Sequence, residues 1–263
     1  MNAASPIQRA GRNVGRYDGE TIAIQDVLQD IQTAALKYGW RQDCFLKSEE
    51  FCLLAYHRAT GQPRKRIYIS SGIHGDEPAG PLAVRELVRQ NSWPDGIDVW
   101  LCPCLNPTGF PINRRENARG LDLNRQYLHL EAAETKAHVL WLEQQPRFDV
   151  VLCLHEDWEA HGFYVYELNP DHQPSFAEEM IRRISEVCPI DRSPVIEGRE
   201  AKDGIIRPSV DPRSRPQWPE GFYLLAHKTR LTYTLEAPSD YPMPPRVAAL
   251  VTGVRTVLDL ISK

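Results

Sequence analysis

No apolar run in the 263-residue sequence is long enough to span a membrane. The stretch from Met1 to Arg16 is polar and carries several arginines, without the apolar core of a secretory signal. Both absences lead to the expectation of a cytoplasmic protein that works away from membranes. Cysteines at C-x-x-C spacing are also missing. Cys44, Cys52, Cys102, Cys104, Cys153 and Cys188 fit neither a thiolate zinc site nor a redox motif, and most lie in apolar runs, so reduced core thiols are expected. Excess charge of one sign is lacking as well: the net charge is −4, which argues against nucleic acid as the main partner. There are no internal repeats or low-complexity tracts. What remains, 42% hydrophobic and 25% charged residues, is an ordinary balance for a globular chain able to bury one sizeable core.

The pattern along the chain alternates between the two periodicities. Residues 1–20 read as a poorly structured N-terminal arm and 21–263 as one domain. Thr21 to Tyr38 places Ile24, Val27, Leu28, Ile31, Ala35 and Leu36 at helical intervals, and Phe45 to Arg58 reads as strands, with a hairpin as one arrangement of them. Arg66 to Ser71 reads as a strand, Pro81 to Gln90 as a helix, and Ile97 to Leu105 as an apolar strand ending in a turn. Glu131 to Gln145 is helical. Phe148 to Leu154 is a continuous apolar strand of the kind buried on both faces. Gly162 to Leu168 follows as a strand and Phe176 to Val187 as a helix. Gly198 to Gly221 reads as a long loop, Phe222 to Ala226 and Arg230 to Leu235 as the last strands, and Arg246 to Ile261 as a closing helix. Such alternation implies an α/β fold: a single domain with a central mixed, mostly parallel twisted sheet flanked by helices.

In open α/β sheets ligands bind beyond the carboxyl ends of the strands, so the residues there deserve inspection. After Ile67–Ile69 comes Ser70-Ser71-Gly72-Ile73-His74-Gly75-Asp76-Glu77, in which an imidazole and a carboxylate three residues apart can reach one point from a strand-to-helix turn. His155 follows the apolar strand directly, and Glu236 ends the strand Thr232–Leu235. Two histidines and one glutamate give zinc three protein ligands and leave a fourth position for water, the arrangement of a catalytic rather than a structural site. A further carboxylate such as Glu236 can take the proton of that water. The loop Asn113 to Arg125 offers several cations and amides beside it.

These segments resemble the zinc carboxypeptidase (funnelin) family, which includes carboxypeptidase A, with its relatives the murein peptide amidases and the succinylglutamate desuccinylase/aspartoacylase group. The resemblance is carried by His74-Gly-Asp-Glu77, Asn106-Pro-Thr-Gly109, Arg115-x-Asn117, Gly120-Leu-Asp122-Leu-Asn124-Arg125, Leu152-Cys-Leu-His155 and Thr234-Leu-Glu236, in that order. It implies a carboxypeptidase-like fold and one zinc per chain, bound by His74, Glu77 and His155. It also implies Glu236 as general base, Arg115 on the oxyanion, Asn124 and Arg125 on the substrate's terminal carboxylate, and Asp122 as hydrogen-bond partner of the far nitrogen of His74.

The sequence departs from the family's digestive members in having no tyrosine between Arg207 and Glu220, where those members carry one on a mobile loop; Tyr223 and Tyr233 flank the gap. Arg207, Arg213 and Arg215 read either as a solvated basic face or as a lining that favours acidic substrates. Glu156, Asp157 and His161 are the residues from which a second metal could be assembled, although their spacing gives no support to it. The expected activity is that of a metallocarboxypeptidase: hydrolysis of an amide next to a free carboxylate in a small peptide, a murein peptide being the leading substrate. An N-acyl amino acid deacylase is the alternative, and a zinc-binding module without catalysis a third reading. Neither nucleic acid nor membrane is expected as a partner, and nothing in the sequence sets the oligomeric state.

Overall fold

The computed structural model describes residues 7–13, 15–208 and 215–263. In chain order the elements are α1 (Ile24–Lys37), β1 (Arg41–Lys47), β2 (Cys52–Arg58), β3 (Lys65–Ser71), α2 (Ala79–Gln90), β4 (Ile97–Cys102), α3 (Ala133–Glu143), β5 (Val150–Asp157), β6 (Tyr164–Leu168), α4 (Ala177–Ile184), β7 (Val195–Ile196), β8 (Arg199–Glu200), β9 (Ile205–Ile206), α5 (Glu220–His227), β10 (Thr232–Pro238) and α6 (Met243–Ile261). One mixed sheet of eight strands runs in the order β1-β2-β4-β3-β5-β10-β6-β9. Its centre, β4-β3-β5-β10, is parallel, while β1, β2 and β6 join antiparallel.

The pleat of the central strands sorts their side chains into two cores. Ile67, Ile69, Val150, Leu152, Leu154, Leu235 and Ala237 pack with α1, α2, α4 and α6 on one face. Their alternates Tyr68, Trp100, Val151 and Cys153 pack with α3 and α5 on the other. A strand covered on both sides must be apolar throughout, which is why β5 reads Val-Val-Leu-Cys-Leu without a break.

Several sequence expectations change. The segment Phe222 to Ala226 is not a strand but the body of α5: its apolar run carries no period that separates strand from helix, and as a helix it buries Tyr223, Leu224 and Leu225. The stretch from Gly198 to Gly221 is not a bare loop, since it contributes β8, β9 and the start of α5; residues 209–214, with Arg213, lie outside the described residues. The described part of the N-terminal arm is held in place. Asp240 accepts hydrogen bonds from the Gly11 and Arg12 backbone N–H groups and from Arg9 Nε, and Tyr17 is buried. The thiols divide as well. Cys102, Cys104, Cys153 and Cys188 are free and buried, whereas Cys44 and Cys52 are joined as a disulfide across the β1–β2 hairpin rather than being core thiols. Among the described residues no helix is long and apolar enough to cross a membrane.

Candidate active site

The parallel centre of the sheet brings three strand ends together. β3 and β5 pair Ser71 with Leu154, so the turn after β3 opens beside the end of β5. β5 and β10 pair His155 with Glu236, which sets these two side chains side by side in neighbouring strands. β5 continues to Asp157, so His155 is a residue of the strand and not of the loop beyond it.

The turn after β3 is shaped by close backbone packing. A Cβ on Gly75 would stand 2.1 Å from the carbonyl carbon of Gly109, so glycine is required where these two loops cross. Asn106 ties the crossing together: its amide donates to the Ile73 and Arg115 carbonyls and its Oδ1 accepts from the Gly109 N–H. One side chain thus links the loop bearing His74 to the loop bearing Arg115.

His74, Glu77 and His155 converge at the resulting focus. Glu77 Oε1 lies 2.5 Å from His74 Nδ1, and Oε2 lies 2.9 Å from His155 Nδ1. One donor atom from each of the three falls within 4.8 Å of the others, and all three residues are buried. Burial alone would raise the Glu77 carboxyl, but the two imidazoles outweigh it and hold the group well below the usual carboxylate range. An ionised carboxylate between two imidazole nitrogens is the donor chemistry of a divalent zinc site, and the second nitrogen of His74 behaves accordingly: Asp122 Oδ1 lies 3.5 Å from Nε2. For Asp122, too, burial acts upward and is outweighed, here by His74 and Arg115, which hold the carboxyl well below its ordinary value. The donors therefore fit the metal that the sequence implies. Among the described residues this is the one such cluster. Glu156 and Asp157 are engaged elsewhere, with Arg246 and with the Tyr164 hydroxyl respectively, and form no second metal cluster.

The remaining expected residues surround this focus. Arg115 Nε donates to Asp122 Oδ2 at 2.8 Å, which leaves Nη1 3.4 Å from His74 Nδ1. Asn124 accepts the Glu220 N–H on Oδ1 at 2.8 Å, an arrangement that fixes the amide flip and frees its NH2 group. Asn124, Arg125 and Glu236 line the same cavity of about 600 Å³ as the triad. Burial drives the Glu236 carboxyl well above the usual range and Glu77 adds to this, while His155 opposes it. A divalent cation at the triad would draw it back down.

Sequence reasoning missed the cavity's side wall. Tyr164, Tyr166 and Leu168 alternate along β6 onto one face and line it, opposite Thr234 and Glu236 of β10. The period-two spacing of the two tyrosines was the available signal. Glu197 and Arg199, flanking the β7–β8 turn, close the outer rim. Tyr223 and Tyr233 face other groups: Tyr223 packs on Tyr127, and the Tyr233 hydroxyl donates to Glu167. Of the arginines weighed for the lining, Arg215 lines the cavity, whereas Arg207 is held by Glu167 and Glu178. Arg114 and Arg119 are exposed.

With this geometry in hand, the relatives can be named. Residues 63–189 match the family profile of the succinylglutamate desuccinylase/aspartoacylase catalytic domain, a span that includes all three triad positions but ends before Glu236. Carboxypeptidase SOL1 of Arabidopsis thaliana is 34% identical over 108 residues, covering 32% of this chain and 21% of that protein. Over these parts of its length the chain is similar both to the desuccinylase/aspartoacylase catalytic domain and to a carboxypeptidase. Carboxypeptidase 2 of Trichophyton rubrum is 29% identical over 79 residues, 15% of its length, so the matches span about a fifth or less of these curated relatives. Among solved structures, a "putative metallopeptidase" of Shewanella amazonensis superposes with a TM-score of 0.79 at 21% identity, covering 98% of both chains. A metallo-carboxypeptidase of Pseudomonas aeruginosa, solved with (2-guanidinoethylmercapto)succinic acid, gives 0.64 at 17% identity, over 92% of this chain and 69% of that one. At those identities the likeness establishes the fold: a single α/β domain with a large mixed sheet flanked by helices.

Proposed function

We propose that this chain is a zinc-dependent hydrolase that cleaves an amide bond next to a free carboxylate in a small peptide. The observation that carries this reading is the convergence, in one cavity, of the buried His74–Glu77–His155 cluster, the unpaired Glu236 carboxylate and the Asn124–Arg125 pair. His74 Nδ1, Glu77 and His155 Nδ1 hold the zinc, one ion per chain, and Asp122 orients His74. When bound, zinc supplies Lewis-acid polarisation of the scissile carbonyl and lowers the pKa of water in its open position. Glu236, one strand over from His155, takes the proton of the attacking water and delivers it to the leaving nitrogen. Arg115, held by Asp122 at the rim of the cluster, meets the developing oxyanion, a contact typically worth about 3–4 kcal/mol in the transition state. The Arg125 guanidinium and the Asn124 amide grip the carboxylate and so set which bond faces Glu236.

Residues 21–263 act as the catalytic domain, the work is done in the cytoplasm, and a murein peptide is the leading substrate. A second reading, deacylation of an N-acyl amino acid, is favoured by the match to the desuccinylase/aspartoacylase profile. It uses the same residues, with the acyl amide in place of the peptide bond.

The test offers zinc-loaded protein two pools, short peptides with free C-termini and N-acyl amino acids, each with and without a chelator, and identifies products by mass spectrometry. Chelator-sensitive loss of a C-terminal residue is the expected result. Chelator-sensitive acyl release would move the chain to the deacylases. Products in neither pool, or products indifferent to the chelator, would contradict a zinc hydrolase of this kind.

A further inference from the structure

The residue after His155 has no role in the chemistry above, yet it is the best-satisfied carboxylate in the core. Glu156 is fully buried on the sheet end beside the cluster, and so is Arg246 of α6. Its carboxylate accepts from the Ala79 backbone N–H, from Ser239 Oγ at 3.0 Å, and from Arg246 through both Nε and Nη2. A buried ion pair rarely adds net stability over apolar side chains of the same volume, so its presence calls for another explanation.

The positions of the partners supply one. Ala79 lies two residues beyond Glu77, Glu156 is adjacent to His155, and Ser239 lies three residues beyond Glu236. One carboxylate therefore bonds to, or belongs to, the three backbone segments that carry two ligands and the proposed base. Arg246 is completed from a fourth segment: its Nη1 donates to Glu20 Oε2 at 3.0 Å and to the Tyr17 hydroxyl at 3.3 Å. Asp240, next to Ser239, anchors the chain just before Tyr17.

We propose that the Glu156–Arg246 pair, closed by Tyr17 and Glu20 of the N-terminal segment, is the positioning device of the metal site: it sets the spacing of Glu77, His155 and Glu236, and makes Tyr17 and Glu20 part of the site's back wall. The proposal rests on the metal reading given above. Its reach goes further, because it assigns function to a segment that sequence alone reads as a loose arm.

Two variants of the full-length protein test it. Glu156→Gln with Arg246→Met removes both charges together, so that neither is stranded. Tyr17→Phe with Glu20→Gln strips the outer partners and touches nothing near the cluster. Each is compared with wild type and with Glu167→Gln, which breaks an ion pair with the exposed Arg207 that contacts none of the three candidate ligands. The readouts are zinc affinity by chelator competition, the visible absorption of the cobalt(II) form, and thermal unfolding of the metal-free protein. The expected result is a folded neutral pair that binds zinc about 10–100-fold more weakly with altered cobalt bands, as loss of support behind metal ligands produces. The outer pair is expected to lose at least about threefold, and Glu167→Gln to keep wild-type affinity whatever its stability. Affinities within threefold of wild type and unchanged cobalt spectra in the folded variants would overturn the proposal. If the neutral pair does not fold, the outer pair decides by the same threshold. Wild-type protein that takes up no zinc would instead overturn the metal reading, which keeps the two failures apart.

Discussion

Glu236 is the residue whose environment and role are most closely bound together. Burial raises its carboxyl, and a cation bound at the neighbouring triad would lower it again. Glu236→Gln keeps size and shape and removes the base. Zinc should bind as before while turnover falls by about 10²–10⁴-fold, measured as kcat on the best substrate. Unchanged turnover would remove Glu236 from the mechanism. The role proposed for Arg125 bears on a different parameter. Arg125→Ala forfeits a charge-assisted contact worth about 1.5–3 kcal/mol, so KM should rise by an order of magnitude or more while zinc affinity stays put. A fall in kcat with unchanged KM would place Arg125 at the reacting bond instead.

The elements differ in how far the sequence reveals them. The candidate ligands were legible because strand ends are local: an apolar run followed by His155, and another followed within a turn by His74 and Glu77, can be read without knowing the fold. That His155 and Glu236 stand opposite each other in neighbouring parallel strands follows from the register and not from the sequence. What stayed hidden depends on contacts distant in sequence. α5 was read as a strand because Phe222 to Ala226 is apolar at every position, and only its packing against Tyr127 and β10 decides the matter. Glu156 read as part of an acidic run and as a candidate for a second metal; its partner Arg246 is 90 residues away. The crossing of Gly75 with Gly109 is another contact of this kind, and it can be tested. Gly75→Ala drives a methyl into backbone that cannot yield, so stability should fall by about 1–3 kcal/mol and zinc affinity should drop with it, read by thermal melts and chelator competition. A neutral effect on both would mean the two loops part easily.

At the scale of the whole molecule, a second buried polar chain lies beneath the site. Tyr127 donates to His138 Nδ1, His138 Nε2–H donates to Tyr68, and Tyr68 donates to Glu220, which also accepts from Ser70 and whose N–H positions Asn124. Burial pushes His138 down to about 3, so it stays neutral in the folded protein through the weakly acidic range. The unfolded chain takes up that proton below about 6.5, binding more protons than the folded one, so this group's contribution to stability is complete above that pH and declines as the pH falls toward 3. Denaturant melts between neutral pH and pH 5 should therefore show a difference in slope: stability should decline with acidification by up to one proton more in wild type than in His138→Gln. Equal slopes would show that His138 does not carry this linkage.

The same whole-molecule coupling governs the metal. A ligand that binds only the folded chain stabilises it by mass action, so the melting temperature should rise with free zinc and drop on chelation. The most direct measurement is a calorimetric zinc titration of the metal-free protein beside His155→Ala. One zinc per wild-type chain, with binding largely abolished in the variant, is the expected result. Wild-type protein that binds no zinc, or a variant that binds it equally well, would contradict the assignment of His74, Glu77 and His155 as the metal site.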